Sequence, residues 1–357
     1  MEIRINDSIA GRDETILITG ANGFIGSKLV QVLLEDGFQR IRCLVRSSAR
    51  AARVLARVNQ PNDRAGIELV EGNLLSHQDC AKVTRGATVI FHLAAARGEK
   101  SVADAVLNSV VTTRNLLDAT IAHGCVRRFV NVSSFAIYSN EDSNRAGLLD
   151  ETCTIEARPS LRGDAYCFAK SKQEAVVHEY GSKFSLPYVV VRPGHVYGPG
   201  NLGITGRVGI NTFGIFLHLG GNNPLPLTYV DNCAQAVALA GLRKLDRNGE
   251  IFNVVDDDLP SSSSFLHQYK SNVGSFRSIF LPHVLSYALC RFWEWYSTWS
   301  QGQLEPVFNR KRWNATWKKT HYSNEKLKVT LGWRPRVSTE EGLARYFAAC
   351  RRQGQHA

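Results

Sequence analysis

The sequence predicts an α/β fold in which a doubly wound parallel sheet is followed by a smaller C-terminal lobe. Short β-branched runs alternate with helical segments through residues 1–195, and a glycine-rich turn follows the first run. Beyond that point the alternation stops, and all six tryptophans lie after residue 290. Strands that alternate with helices favour a parallel sheet covered by helices on both faces.

The strands are predicted where apolar, β-branched residues run up to a turn-forming residue. In chain order these runs are TILITG, RIRCLVR, GIELVEGN, TVIFHLAA, RRFVNVSS and LPYVVVRP. Helical periodicity predicts helices in GFIGSKLVQVLLEDG, in SVADAVLNSVVTTRNLLDATIAHG and around Tyr166. Six strands in this order match a Rossmann-type fold, so we predict an NAD(P)-binding Rossmann domain over residues 1–195.

A second, smaller lobe is predicted over residues 196–357, where we expect the substrate to bind. The stretches GITGRVGINTFG and LGGNNPLP are rich in glycine and proline, which predicts loops. A helix is predicted in TYVDNCAQAVALAGLRKL and a short strand in EIFNVVDDD. We expect this helix and strand, within residues 228–256, to pack back on the first domain.

Composition and charge limit the classes of partner. The chain of 357 residues is 44% hydrophobic and 21% charged, which is ordinary for a soluble globular protein, and its formal net charge is +11. A basic excess suits nucleic acid, an anionic cofactor or a membrane surface. The basic clusters RCLVRSSARAARVLAR and NRKRWNATWKK are less dense than a basic tail, so we predict no nucleic-acid partner. No apolar run reaches the roughly 20 residues of a membrane span, so we expect at most peripheral membrane contact.

The cysteines and the N-terminal stretch indicate a cytoplasmic protein without a metal. The eight cysteines show neither a CxxC pair nor a Cys/His spacing typical of a metal site. The stretch MEIRINDSIAGRDE is polar and acidic, unlike a signal peptide. We therefore expect reduced thiols and a cytoplasmic location.

The stretch TGANGFIG places Gly20, Gly23 and Gly26 between the first strand and its helix. Such a turn lets the backbone approach a pyrophosphate, and the helix N-terminus adds N–H donors and a positive dipole. The alternative is a tight turn that needs glycine only for its shape. The context of a strand followed by a helix favours dinucleotide binding.

The stretch GDAYCFAKSK places Tyr166 and Lys170 four residues apart, on one face of the predicted helix. A nearby ammonium favours the ionised phenol. At about 4 Å and an effective dielectric of about 20, the interaction lowers the pKa of a phenol by about three units. A proton donor and acceptor works best in that range. The alternative is an accidental pair on a surface helix.

Taken together, the glycine spacing and the YxxxK pair resemble the short-chain dehydrogenase/reductase superfamily. Further motifs resemble its extended branch, which contains nucleotide-sugar epimerases and dehydratases and 3-beta-hydroxysteroid dehydrogenase-like enzymes. In the order of that branch, they are EGNLL, HLAA, VSSFAIYS, RPGHVYGPG, YVDN and LGWRP. The resemblance implies an NAD(P)-dependent enzyme with a Rossmann-type domain.

The resemblance also implies catalytic roles for Ser134, Tyr166 and Lys170. Tyr166 would be the general acid/base, and Lys170 would be its electrostatic partner and hold the nicotinamide ribose. Ser134 lies four residues before Tyr138, as the active serine does in the family, and Ser133 is the alternative. The cofactor-binding positions implied are Gly20, Gly23, Phe24, Ile25, Gly26, Arg46, Asn73, Leu74, Ala94, Ala95, Tyr166, Lys170, Pro193 and Val196.

Two positions depart from the family pattern. The superfamily often has an asparagine in the helix after strand four, but here the aligned residue is Ser109, with Asn108 next to it. Asn73 replaces the usual aspartate of the adenine turn, and an amide can still accept and donate hydrogen bonds.

Cofactor preference is predicted from the end of strand two. NAD-preferring members carry an acid there, whereas this chain has LVRSSAR. Arg46, and Arg50 just beyond it, could pair with a 2′-phosphate, which predicts NADP as the preferred cofactor and NAD as the alternative. Because arginines recur every three or four residues, Arg53 and Arg57 are interpreted as a solvated helix face.

The substrate is predicted to be an apolar alcohol or ketone. In NPLPLTYVDN, Leu225 and Pro226 occupy the places of an arginine and an aspartate in sugar-nucleotide enzymes of the branch, where the arginine grips the diphosphate. The stretch LPHVLSYALCRFWEWYSTW, with Phe292 or Trp295, would suit an apolar pocket. Its alternatives are ordinary core and attachment to a membrane surface, but Arg291 and Glu294 near its centre argue against deep insertion.

The first hypothesis is therefore an NADP-dependent oxidoreductase that interconverts a secondary alcohol and a ketone. The second is a nucleotide-sugar epimerase or dehydratase with bound NAD, in which NRKRWNATWKK supplies the phosphate grip. The third and weakest is a non-catalytic dinucleotide-binding sensor. A small molecule is the expected partner, and a homodimer is left open.

Overall fold

The computed structural model describes residues 7–55, 66–95, 101–141, 147–212, 214–301 and 308–354. Its fourteen strands are β1 (Thr15–Thr19), β2 (Ile41–Val45), β3 (Ile67–Glu71), β4 (Ala87–His92), β5 (Arg128–Val132), β6 (Leu148–Leu149), β7 (Tyr188–Pro193), β8 (His195–Tyr197), β9 (Gly209–Thr212), β10 (Ile215–His218), β11 (Leu227–Tyr229), β12 (Glu250–Val254), β13 (Ser278–Phe280) and β14 (His321–Tyr322), as found in these ranges.

The helices in the same ranges are α1 (Phe24–Glu35), α2 (Ser48–Leu55), α3 (His77–Thr84), α4 (Val102–Val106), α5 (Thr112–His123), α6 (Ala165–Phe184), α7 (Val230–Leu242), α8 (Ser262–Asn272), α9 (His283–Trp299), α10 (Arg310–Trp317), α11 (Glu325–Leu331) and α12 (Thr339–Gly354). A π-helical turn at Leu107–Val111 joins α4 to α5. Single 3₁₀ turns follow at Phe135–Ile137 and Pro159–Arg162.

The central sheet has seven parallel strands in the order β12-β7-β5-β4-β1-β2-β3. Six of them are the predicted runs, so the Rossmann-type fold is confirmed. The strand order reverses between β1 and β4, and in such sheets ligands bind outside the carboxyl ends of the strands at that point.

The two faces of the sheet are covered because alternate residues of each strand point to opposite sides. Ile16 and Ile18 pack into one core with Leu29 of α1 and Val237 of α7. Leu17, between them, belongs to a second core that includes residues of α3, α5 and α6. Both faces of β4 and β5 are fully buried, which explains their continuous apolar character.

Part of the C-terminal half returns to the sheet. Strand β12 pairs with β7 as the seventh strand, and α7 is buried against α1. A salt bridge of 3.0 Å between Lys28 and Asp231 joins the same two helices. The division of the chain at residue 195 stays a prediction.

The remaining C-terminal elements surround smaller cores. Strands β13, β10 and β9 form a separate sheet, and α8 and α12 enclose an aromatic core with Phe265, Tyr346 and Phe347. Helices α9 and α10 meet around Cys290 and Trp313. Among the described residues, no helix is long and apolar enough to cross a bilayer.

Candidate functional site

A cleft of about 700 Å³ opens at the carboxyl ends of the central strands. Apart from Arg50, which is not among its lining residues, the residues that the sequence suggested for the cofactor or for catalysis line this cleft. They are Gly20, Gly23, Phe24, Ile25, Gly26, Arg46, Asn73, Leu74, Ala94, Ala95, Ser134, Tyr166, Lys170, Pro193 and Val196. The fold therefore gathers segments that are up to about half the chain apart in sequence into one cavity.

The glycine turn after β1 has a shape that only glycine allows. Gly20 adopts a φ of +73°, which favours glycine. A methyl group at Gly26 would lie 2.1 Å from the carbonyl oxygen of Gly20, so α1 can approach the turn only without a side chain there. Helix α1 then begins at Phe24 with no acidic residue in its first turn. Its first N–H groups have no partner within the helix, and they and the helix dipole suit an anionic group.

Lys170 is buried at the base of the cleft, 5% exposed. Its ammonium donates hydrogen bonds of 2.7 Å to the carbonyl oxygen of Val132 and 2.9 Å to Oε1 of Gln173. Burial lowers the pKa of Lys170 to about 8, although the charge of Glu174 acts in the opposite direction. The lysine is therefore largely charged at neutral pH and easily deprotonated just above it.

A buried polar network, which the sequence analysis did not single out, holds Gln173 in place. The side-chain amide nitrogen of Gln173 lies 2.9 Å from Oγ1 of Thr113 and 3.2 Å from Nε2 of His92. On its other side, Nδ1 of His92 is 2.8 Å from Oγ1 of Thr19. Burial, with the charge of Lys170, lowers the pKa of His92 to about 3, so the ring is neutral. His92 stands in the quoted HLAA motif, but nothing local in the sequence links it to Gln173.

Tyr166 lies in the first turn of α6, one helical turn before Lys170. Asp164 caps this helix, and its carboxylate accepts hydrogen bonds of 3.1 Å from the Tyr166 N–H and 3.2 Å from the Cys167 N–H. Tyr166 lines the cleft and is 37% exposed, whereas Lys170 is buried below. The pair thus places an accessible phenol above a buried cation on one helix.

Ser133 and Ser134 directly follow β5 and differ in environment. Oγ of Ser134 accepts a 3.2 Å hydrogen bond from the Ala136 N–H, which caps the 3₁₀ turn and leaves its hydroxyl hydrogen able to donate elsewhere. Ser133 also lines the cleft but is only 3% exposed, and it contributes to lowering the pKa of Glu174. Ser134 has the more accessible side chain of the two.

An ion pair between Glu174 of α6 and Arg192 of β7 is almost fully buried. Burial by itself raises the pKa of Glu174, but hydrogen bonds from His178 and Arg192, with the arginine charge, lower it to about 2. Arg192 also donates a 2.8 Å hydrogen bond to the hydroxyl of Tyr138. Because Glu174 stays ionised, its charge lies close to Lys170 at all ordinary pH values.

The π-helical turn decides which side chain after β4 reaches the cleft. Asn108 lines the cleft, and its Nδ2 donates a 3.0 Å hydrogen bond to the Asp104 carbonyl oxygen. Ser109, the residue aligned with the family asparagine, is only 1% exposed, and its carbonyl oxygen accepts from Thr113. A π turn inserts one extra residue and rotates the helix face, which places Asn108 at the cleft.

Arg46 is exposed at the edge of the cleft, directly after β2. By contrast, Arg42 is held by Glu68 at 2.8 Å and by two carbonyl oxygens. The carboxylate of Glu71 accepts hydrogen bonds from Ser48 N–H (3.1 Å) and Oγ (2.9 Å) at the start of α2. The sequence shows no acid beside strand two, but in the fold Glu71 reaches the start of α2 from strand three.

Part of the arginine-rich segment lies outside the described residues, so the predictions for it stay predictions. This applies to Arg57 and to the side chain of Arg53, whereas Arg50 is exposed on α2. In the adenine turn, Oδ1 of Asn73 accepts a 3.0 Å hydrogen bond from the Leu75 N–H. Asn73 also lines the cleft.

Leu225 and Pro226, which the sequence aligns with the arginine and aspartate of sugar-nucleotide enzymes, do not line the cleft. Leu225 is 1% exposed and packs in the C-terminal core, while the carbonyl oxygen of Pro226 accepts from the His195 N–H. The basic stretch after residue 308 is engaged elsewhere: Arg310 pairs with Glu294 at 2.6 Å and Lys311 with Glu156 at 3.0 Å. Neither basic residue lines the cleft.

The late aromatic segment also lies away from the cleft. Phe292 and Trp295, which the sequence suggested for an apolar pocket, are each 58% exposed and do not line it. Helix α9 instead packs against Trp313 of α10 through Tyr287 and Cys290. Other cleft residues that the sequence analysis did not name are Asn22, Thr112, His195 and Asn201.

Comparison with known protein families matches residues 16–254 to the NAD dependent epimerase/dehydratase family. The chain belongs to this family. The resemblance to the extended short-chain dehydrogenase/reductases is thereby confirmed. Its similar proteins are enzymes of this type, among them reductases, dehydratases and epimerases.

Cinnamoyl-CoA reductase 1 of Oryza sativa subsp. japonica is 30% identical over 197 residues, which cover 54% of this chain and 56% of that protein. The trifunctional UDP-glucose 4,6-dehydratase/UDP-4-keto-6-deoxy-D-glucose 3,5-epimerase/UDP-4-keto-L-rhamnose-reductase of Arabidopsis thaliana is 28% identical over 195 residues, covering 52% of this chain and 28% of that protein. The chain thus spans about half of the rice relative and less of the Arabidopsis relative.

A solved structure of UDP-glucuronic acid 4-epimerase from Bacillus cereus in complex with NAD has a TM-score of 0.70 to this chain. It is 21% identical and covers 96% of this chain and 98% of its own. At this identity the likeness shows the fold.

Proposed function

We propose that this protein is an NADP-preferring oxidoreductase that interconverts a secondary alcohol and a ketone, with Tyr166 as the general acid/base. One observation carries the proposal: Ser134, Tyr166 and Lys170 line the same cleft as the glycine turn. Because Gly26 packs directly against the Gly20 carbonyl oxygen, α1 begins right at the turn, and its first N–H groups suit a pyrophosphate. A bound nicotinamide cofactor supplies or accepts the hydride.

The protein side of the reaction is a proton transfer. In the direction of reduction, the Tyr166 hydroxyl gives its proton to the carbonyl oxygen of the substrate, and in oxidation it takes the proton back. Ser134 donates a hydrogen bond to the same oxygen, because its Oγ already accepts from Ala136 and keeps its hydrogen for the substrate. The Lys170 cation favours the ionised phenol.

Lys170 has one further role in this proposal. An ammonium has three N–H donors, and the bonds to Val132 and Gln173 use two of them. The third is available to a ribose hydroxyl of the cofactor. The same residue then fixes the cofactor and tunes the acid/base.

The preference for NADP rests on Arg46. An exposed guanidinium at the cleft edge can pair with a 2′-phosphate, and NAD lacks that group. Glu71 is an acid at the start of α2, and hydrogen bonds from Ser48 occupy one of its carboxylate oxygens. NAD is the alternative cofactor, since the Bacillus cereus epimerase structure holds it.

The proposed substrate is an apolar alcohol or ketone. A diphosphate needs positive charge when it leaves water, and Leu225 supplies none where the sugar-nucleotide enzymes have arginine. The basic stretch that could replace it is held by Glu294 and Glu156. The similarity to a plant cinnamoyl-CoA reductase supports a reductase.

The second candidate is a nucleotide-sugar epimerase or dehydratase with tightly held NAD. It is favoured by the Arabidopsis relative, which acts on UDP-sugars, and by the fold of the Bacillus cereus epimerase. The two candidates differ in whether the cofactor is changed overall. The cytoplasmic location and the homodimer stay predictions.

The deciding experiment measures net turnover and retained cofactor together. Under the first candidate, the purified protein reduces NADP with secondary alcohols, releases its nucleotide, and loses this turnover in the Tyr166→Phe variant. Tightly retained NAD, with conversion of a UDP-sugar and no net change in cofactor, would establish the second candidate. Binding of either nucleotide with neither reaction would support the non-catalytic sensor.

A further inference from the structure

Helix α9 has an inverted distribution of polar and apolar residues. Its inward side carries Ser286, Cys290 and Ser297, all buried. The outward side carries Val284, Leu285, Leu289, Phe292, Trp295 and Trp299, which are 49% to 84% exposed. At 100° per residue these side chains fall within an arc of about 140° opposite the buried side. The fold has therefore left the more apolar face of this helix in contact with solvent.

The two charges within α9 do not interrupt this face. Glu294 points inward, where its carboxylate is bound by the N–H and the guanidinium of Arg310 at 2.7 and 2.6 Å. Arg291 lies at the edge of the apolar arc, one turn before Trp295. The sequence placed Arg291 at the centre of the segment, but the helix rotation puts it on the rim.

The aromatic side chains on this face contact one another. Trp295 and Trp299 stack with ring centroids 6.5 Å apart, and Phe292 lies 5.6 Å from Trp295. Directly before the helix, Ile279 and Phe280 of β13 are also about half exposed. Exposed patches of this kind mark an interaction surface.

The chain segment that contains β13 and α9 is basic. Between residues 259 and 301 the sequence contains three basic residues, Lys270, Arg277 and Arg291, and a single acid, the inward-facing Glu294. A shallow cleft of about 410 Å³ next to Phe280 is lined by Lys270, His218 and His267. The ammonium of Lys270 donates a 2.6 Å hydrogen bond to Ser278, and its other N–H donors suit an anion.

A second copy of the chain fits this surface less well. An exposed strip one helix wide and 16 residues long covers about 240 Å², far below the roughly 800 Å² per partner of a stable interface. Two copies would also bring like charges together, since each carries a net charge of +11. An anionic lipid surface has the opposite sign and needs no shape match.

We propose that α9 lies in the headgroup region of an anionic phospholipid bilayer, with its outward aromatic face among the upper acyl chains and the basic residues around it facing lipid phosphates. Interfacial helices enter this region to a depth of about 5–10 Å. Trp and Phe favour it because they combine large apolar surfaces with, in Trp, a polar N–H.

The test is flotation of the purified full chain with vesicles of phosphatidylcholine alone or mixed with phosphatidylglycerol. The wild type should float with the mixed vesicles, and the double variant Trp295→Ser/Trp299→Ser should bind them at least about tenfold more weakly. Phe184→Ser is the matched control, since Phe184 is 52% exposed on α6, and it should bind like the wild type. The double variant Lys270→Gln/Arg291→Gln should reduce binding to the mixed vesicles and remove the preference for them over phosphatidylcholine.

Circular dichroism and turnover of a water-dissolved substrate verify that each variant is folded. Equal flotation of the wild type and both double variants would overturn the proposal. The proposal would also fail if the wild type did not bind vesicles but sedimented as a dimer, and the tryptophan double variant sedimented as a monomer. The outward face of α9 would then bind a second copy of the chain.

Discussion

The Lys170 ammonium donates a 2.9 Å hydrogen bond to the side-chain oxygen of Gln173, and Gln173 is itself held by Thr113 and His92. The lysine is thus positioned from beneath the cleft by neutral groups, while the charge of Glu174 acts on it from the side. Gln173 does not itself line the cleft, so we expect its effect on the reaction to pass through Lys170.

Replacing Gln173 with alanine should destabilise the charged form of Lys170. The ammonium loses a bond worth about 1.5–3 kcal/mol, so the pKa of Lys170 falls further, by about one to two units. We expect kcat to fall about tenfold or more and the alkaline limb of its pH profile to move to lower pH. Gln268→Ala, on the exposed side of α8, is the control. An unchanged pH profile would mean that Gln173 has only a structural role.

Replacing Tyr166 with phenylalanine removes the hydroxyl and keeps the ring. Cofactor should still bind, as measured by fluorescence titration, while kcat falls by about 10²- to 10⁴-fold because the general acid/base is lost. Tyr296→Phe, on α9 away from the cleft, should retain full turnover. Near-normal turnover of Tyr166→Phe would remove this residue from the mechanism.

Replacing Arg46 with alanine should weaken the binding of NADP and leave the binding of NAD nearly unchanged. The pairing of a guanidinium with the 2′-phosphate contributes about 1.5–3 kcal/mol, or roughly 10- to 150-fold in the dissociation constant. Arg247→Ala, an exposed arginine outside the cleft, serves as the control. Equal losses for both cofactors would contradict a role in phosphate recognition.

Replacing Gly26 with alanine should disrupt the turn itself. The new methyl group would meet the Gly20 carbonyl oxygen at 2.1 Å, so α1 must shift away from β1. We expect a loss of cofactor affinity and a lower free energy of unfolding, by about 1–3 kcal/mol in urea denaturation. At Gly203 a methyl group would meet no atom within 4 Å, so Gly203→Ala should change neither property.

In the cofactor-free protein, the free energy of unfolding should depend on pH through the titration of Lys170. Its pKa is about 8 in the folded chain and 10.5 in the unfolded chain, so between these values the unfolded state holds more protons. Stability therefore rises with pH through this window, by about 3 kcal/mol from this group. Comparison of urea unfolding of the wild type and Lys170→Met from pH 7 to 10.5 measures it. A stability difference between the two that stays constant with pH would show that burial does not lower the pKa of this lysine.

The sequence by itself determined the sheet and the composition of the cleft. Each central strand is a short run of β-branched residues, and parallel strands place their carboxyl ends on one edge. Residues that directly follow those strands, such as Gly20, Arg46 and Ser134, therefore had to meet. The Tyr166–Lys170 pair was equally visible, since helical spacing alone places both on one face.

Only the tertiary structure decided which side chains face the cleft and which are engaged elsewhere. A π turn brought Asn108 to the cleft in place of Ser109, because an inserted residue changes the helix rotation. The outward face of α9 and the inward placement of Glu294 depend on how α9 and α10 pack. Contacts between residues distant in the chain, such as Gln173 with His92, are set by three-dimensional packing, which no local pattern of residues encodes.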